Sequence, residues 1–179
     1  MALEDAVADD LASRLMGAGF EAAQAAQDKG LSTEQMARHV MSVVVDWLLD
    51  DPLRARVLFA GVGANPRAQE KRKAVIRQLA NALAVFGQEY HEAREQLDAK
   101  PGRAIGQAGA ALLIGGSIEM LLGWLDGDIA LSREELVESL SGFWVAVGSD
   151  AVAQTKRRIA AAAAPKTKKP APPRRKSAQ

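Results

Sequence analysis

The chain predicts an all-α protein, and three observations carry that prediction. Apolar residues recur at spacings of three and four along most of its 179 residues. The breaks between these stripes carry helix signals, with two Ser-x-x-Gln/Glu capping boxes and two Pro-initiated starts. Aromatics make up 4% of the chain, Ala, Leu and Val dominate, and no run of four residues alternates with β-branched enrichment.

Leu3, Val7, Leu11 and Leu15 form the stripe of a first helix. Gly17 and Gly19 weaken its continuation, although the Ala-rich stretch to Gln27 can remain helical before a turn at Asp28–Leu31. Ser32 and Gln35 form a capping box that opens a second helix with stripe Met36, Val40, Val43, Val44, Trp47 and Leu48. Asp51-Pro52 stops it and starts the next, since an Asp side chain accepts from early helix amides and Pro is tolerated at the first helical position. Asn65-Pro66 repeats the device and opens the longest helix, roughly 66–98, with stripe Val75, Leu79, Ala82, Phe86, Tyr90, Ala93 and Leu97.

Lys100-Pro101-Gly102 ends that helix. From Arg103 to Leu125 the chain is apolar almost all round, the pattern of a central buried helix. Gly106, Gly109, Gly115, Gly116 and Gly123 lower its helix propensity and suit close backbone approach. Asp126-Gly127 closes it. Ser132 and Glu135 form the second capping box, and Leu136, Leu140, Phe143, Trp144 and Val147 give the last helix a broad apolar face.

Residues 1–160 thus read as one helical domain and residues 161–179 as a basic tail. The tail's four prolines and six basic residues have no apolar periodicity, so residues 165–179 are expected to be disordered. Nine of the 23 basic residues lie from Lys156 onward, and no acidic residue follows Asp150. That leaves 14 basic against 22 acidic residues before Lys156, so residues 1–155 carry about −8 and residues 156–179 carry +9. The absence of Cys removes disulfides and thiolate metal sites. The acidic start MALEDAVADD lacks a secretory pattern, and the longest uncharged stretch, Ala104–Ile118, is 15 residues. A cytoplasmic protein without a membrane span is the expectation.

Catalytic and cofactor-binding patterns are missing. The two histidines, His39 and His91, have no metal-ligand spacing, and there is no phosphate-cradling loop or nucleophile elbow. The expectation is no enzyme, no cofactor and no metal. His39 falls at a boundary or solvent-facing position. His91, next to Tyr90, is either partly exposed or a polar edge of a pocket. Glu119 interrupts an apolar helix, as a carboxylate paired with an Arg or as a pocket group. Met36, Met41, Trp47, Phe59, Phe86 and Met120 fall on several helices and read as core. Arg67, Lys71, Arg72, Lys73 and Arg77, with Glu70 among them, read as a solvated face.

Two segments carry a family resemblance. Asp46–Phe59, DWLLDDPLRARVLF, resembles the helix-stop-helix step in regulatory domains of TetR-family transcriptional repressors. Leu121–Gly148, with Trp124-Leu125-Asp126-Gly127 and the restart Leu131-Ser132-Arg133-Glu134-Glu135-Leu136, is similar to that family's last two helices. The resemblance covers roughly residues 3–155. It implies a ligand-sensing bundle that dimerises through its last two helices as a four-helix bundle, with an apolar or aromatic effector under the middle helices. Met41, Phe59, Phe86, Tyr90 and Met120 are the candidate ligand contacts. Trp124, Leu136, Leu140, Phe143, Trp144 and Val147 are the candidate homodimer interface, because one core cannot hide the apolar faces of both last helices. The family's N-terminal DNA-reading head has no counterpart in residues 1–31. DNA contact is therefore expected only as non-specific phosphate neutralisation by Lys166, Lys168, Lys169, Arg174, Arg175 and Lys176. Two alternatives stand beside this reading: a dimeric scaffold whose tail binds nucleic acid or acidic partners, and a module that heterodimerises with an intact paralogue.

Overall fold

A computed structural model describes residues 2–60, 66–95 and 100–163, and among these residues there is no strand. The elements are α1 (Ala2–Asp28), α2 (Thr33–Leu49), α3 (Pro52–Ala55) running into a π-helical turn Arg56–Ala60, α4 (Pro66–Glu95), a 3-10 turn Lys100–Gly102, α5 (Arg103–Leu125) and α6 (Arg133–Ala163).

Local chemistry sets most of these boundaries. At α2 the Ser32 hydroxyl accepts from Gln35 N at 3.3 Å, while Gln35 Oε1 accepts from Ser32 N at 2.9 Å. The same reciprocal pair opens α6, where Glu135 N donates to Ser132 Oγ at 3.2 Å and Ser132 N to Glu135 Oε2 at 2.7 Å. These bonds to Ser132 hold the Glu135 carboxyl below the usual carboxylate range. Asp51 caps α3 by accepting from Leu53 N at 3.0 Å, with Pro52 in the first helical position. Gly30 and Gly127, at φ 65° and 84°, end α1 and α5. In each case the 6→1 and 5→2 amide bonds are present, from Leu31 to Ala26 and Gly30 to Gln27, and from Asp128 to Gly123 and Gly127 to Trp124.

α2 lies between α1 and α6, and α5 between α4 and α6. Val45, Leu48, Leu58, Phe59, Val75, Leu136 and Leu140 are the largest fully buried side chains and centre the core on the α2, α3 and α6 junction. The π turn buries two successive large residues, Leu58 and Phe59. Cross-element ion pairs fasten the outside. Arg133 donates to Asp46 (2.7 and 2.5 Å) and to Ser42 at 2.8 Å, tying the start of α6 to α2. On α4, Lys71 pairs with Asp9 at 2.6 Å and Arg72 with Glu119.

Several expectations are corrected. α1 runs unbroken through Gly17 and Gly19, as the Ala-rich stretch allowed, but its buried face is Ala8, Ala12, Leu15, Ala22, Ala23 and Ala26, while Val7 is 43% exposed. Small residues face inward because α2 packs close along α1. α5 has the expected span but is no central helix. Only Ala110, Ile118 and Leu121 of it are buried, and Leu112 is 65% exposed. α6 continues to Ala163, three residues into the segment assigned to the tail.

Candidate ligand cavity and outer helix face

α1, α2, α4, α5 and α6 surround a cavity of about 820 Å³, within the range of small-molecule pockets. Its floor is the core cluster, through Leu15, Met41, Leu48, Phe59, Leu79 and Leu121. At the opposite end the helices meet through polar contacts. Thr33 Oγ1 and the Tyr90 hydroxyl are 3.0 Å apart, joining the start of α2 to α4. Tyr90 meets His91 edge-on with ring centroids 5.1 Å apart, and His91 Nε2 lies 3.9 Å from where Gly148 would carry a Cβ. Gly102 leaves no room for a side chain against Thr155, whose Cβ sits 2.8 Å from that position. Midway, the Trp144 indole N–H donates to Ser117 Oγ at 2.9 Å, so the polar group in that stretch of wall is satisfied.

Of the five candidate ligand contacts, Met41, Phe59, Phe86 and Tyr90 line this cavity, and Phe86 and Tyr90 stack at 6.1 Å. Met120 does not. It packs against the core from the other side of α5, one residue before the cavity-facing Leu121. Glu119 points away to Arg72 and takes no part in the lining. His91 lines the polar end and His39 is half-buried outside it.

Sequence reasoning missed two wall features. Trp144, assigned to a dimer surface, lines the cavity. Gly102 at the end of the 3-10 turn and Gly106 and Gly109 on α5, spaced four and three apart, put the smallest residues on the cavity wall. Glycine plays different parts along this helix. Gly109 and Gly123 sit close to Val147 and Ile129, at 3.4 and 3.2 Å from a would-be Cβ, whereas nothing lies within 4 Å of Gly106, Gly115 or Gly116. The regular glycine spacing was the available signal, but close approach and open space look alike in sequence.

The candidate interface residues separate in the same way. Leu136 and Leu140 are 0% and 2% exposed inside the chain's own core and are not available to a second copy. Helix α6 must cover α2 as well as α5, which turns its Leu136/Leu140 face inward. Trp124 is half-buried, with its indole N–H donating to Leu131 O at 2.7 Å, and Val147 is half-buried. Phe143 is 59% exposed. It shares an outer face of α5 and α6 with Leu112, Ala104, Ala108 and Ala111, all exposed. A depression of about 570 Å³ runs there between Ile105, Leu112, Ala146 and Val147. By length and composition α5 is also apolar enough to cross a membrane.

Among the described residues no three His, Cys, Asp or Glu cluster as a metal site. The tail residues Lys166, Lys168, Lys169, Arg174, Arg175 and Lys176 lie outside the described residues. Comparison with protein-family models, with curated proteins and with solved structures finds no match.

Proposed function

We propose that this chain is a ligand-sensing, dimerising domain of the kind that regulates transcription in TetR-like repressors, and that it works by binding rather than catalysis. The cavity of about 820 Å³ carries the proposal. The cavity opens to solvent beside Phe20 and Val85, and a large apolar concavity left in contact with water is most simply a place for a ligand. Five helices border it, and an occupant that draws them together would change how α5 and α6 present their outer face. That coupling is what a sensor needs, since a ligand shifts a conformational equilibrium only through differential affinity for its states.

The homodimer belongs to the same proposal, through the α5–α6 outer face rather than through Leu136 and Leu140. Leu112 and Phe143 are large apolar side chains left 65% and 59% exposed, flanked by alanines that allow close helix approach. The test is a thermal-shift screen of the full chain against apolar and aromatic small molecules, with the mass measured by light scattering at micromolar concentration. Ligands that raise the melting temperature of a dimer support the proposal, because a ligand that binds only the folded state stabilises it. A monomer that no compound stabilises overturns it. Stable association of the chain with vesicles assigns the α5 face to lipid instead.

A further inference from the structure

The cavity has a direction. On α2 its lining runs from Thr33 at the polar end to Leu48 at the floor, about 22 Å at 1.5 Å per residue. α1, α4, α5 and α6 contribute in the same sense, with Ala23, His91, Gly102 and Thr155 toward the polar end and Leu15, Leu79, Leu121 and Leu140 toward the floor. Away from the polar end Asn81, Gln107 and Ser117 interrupt the apolar wall, Asn81 and Gln107 exposed and Ser117 bonded to Trp144.

The polar end also carries a bias in charge. Arg103 lines it and has no ion-pair or hydrogen-bond partner among the described residues. Arg103 is the first residue of a 23-residue helix whose N-cap, Gly102, supplies no side-chain acceptor. The Arg103 guanidinium and the positive end of the α5 dipole therefore lie at the same end, and both favour an anion. Glu89 is the carboxylate among the lining residues, and it is exposed.

Taking the cavity as the ligand site, we infer that its ligand is a linear amphipath, an unbranched aliphatic chain ending in a carboxylate. The tail lies toward Leu48, Phe59 and Leu121, and the head sits at Arg103 and the first turn of α5. Length is the deciding feature, because a path of this length with polarity at one end matches a chain with one head better than a compact ring system.

The experiment is a titration of the delipidated full chain with saturated fatty acids of increasing length, kept below their micelle concentrations, together with the alcohol and amine of the longest chain. Quenching of Trp144 is the readout, identified by its loss in Trp144→Phe. Affinity should rise about fourfold per added methylene until the chain spans the cavity, then level off. The acid should bind about fivefold tighter than the alcohol, as befits a partly exposed charge pair. Arg103→Gln should remove that preference by weakening the acid about fivefold more than the alcohol. Affinity independent of chain length, a preference for the amine, or an Arg103→Gln variant that keeps the acid preference each overturns the inference. Tighter binding of a compact aromatic than of any chain also overturns it while leaving the sensor proposal intact. That proposal fails separately if no small molecule binds at all.

Discussion

Gly102 and Gly106 sit on the same wall four residues apart, yet they should respond in opposite ways to a single methyl group. At Gly102 an added Cβ meets Thr155, a β-branched side chain already held by its hydroxyl bond to Ala151 O at 2.8 Å. Gly102→Ala should lower stability by about 1–3 kcal/mol through overpacking. At Gly106 nothing lies within 4 Å, so Gly106→Ala should raise stability by up to about 1 kcal/mol through helix propensity. Denaturant melts of both variants check the pair, and equal effects would remove the distinction. Glu135 makes a prediction about pH. Its carboxyl lies below the usual carboxylate range because Ser132 bonds the charged form, so its stabilisation is present above that range and lost as pH falls through the lowered value. The melting-temperature gap between wild type and Glu135→Ala should therefore be widest near about pH 7 and narrow toward about pH 3. A constant gap contradicts the assigned role.

Helix boundaries were legible from sequence because their causes are local. Ser32 with Gln35, Asp51 with Pro52 and Ser132 with Glu135 each act on amides within three residues. Which face turns inward was harder to read, because that depends on the neighbour. On α1 Leu11 and Leu15 of the stripe pack on the core while Val7 is exposed and alanines fill the rest of the buried face, and on α6 Leu136 and Leu140 turn inward to cover α2. Composition likewise made α5 look central when it flanks the bundle. The same logic applies to the candidate ligand contacts. Phe86 and Tyr90 lay on the predicted stripe of α4, Met41 and Phe59 were suggested by the family resemblance and also line the cavity, and Met120 fell one residue off the cavity face of α5. The element-scale prediction concerns the outer face. Leu112→Asp with Phe143→Asp should convert a dimer to a monomer that keeps its melting behaviour, because neither side chain belongs to the core. Analytical ultracentrifugation checks it, and an unchanged mass moves the interface elsewhere.

For the whole molecule, charge divides the labour. The acidic body holds part of its charge in internal pairs such as Lys71–Asp9 and Arg133–Asp46, while six basic residues lie beyond residue 164. Any contact with DNA is expected from that tail, without base reading. If all six engage phosphates, log affinity should fall against log salt with a slope of about −5, made shallower by repulsion from the body. Removing residues 165–179 should abolish retardation in a low-salt gel shift, and sequence-selective binding by the truncated chain contradicts the assignment.

The central claim is that the cavity receives a small molecule, and blocking it is the most direct measurement. Gly106 lines the cavity and a Cβ there would meet nothing within 4 Å, so Gly106→Phe is the substitution chosen to fill it. The melting temperatures of wild type and Gly106→Phe should be compared with and without the strongest stabiliser from the screen. A ligand-induced rise is expected in wild type and is absent in the folded variant. An equal rise in both proteins would place the ligand elsewhere and contradict the account.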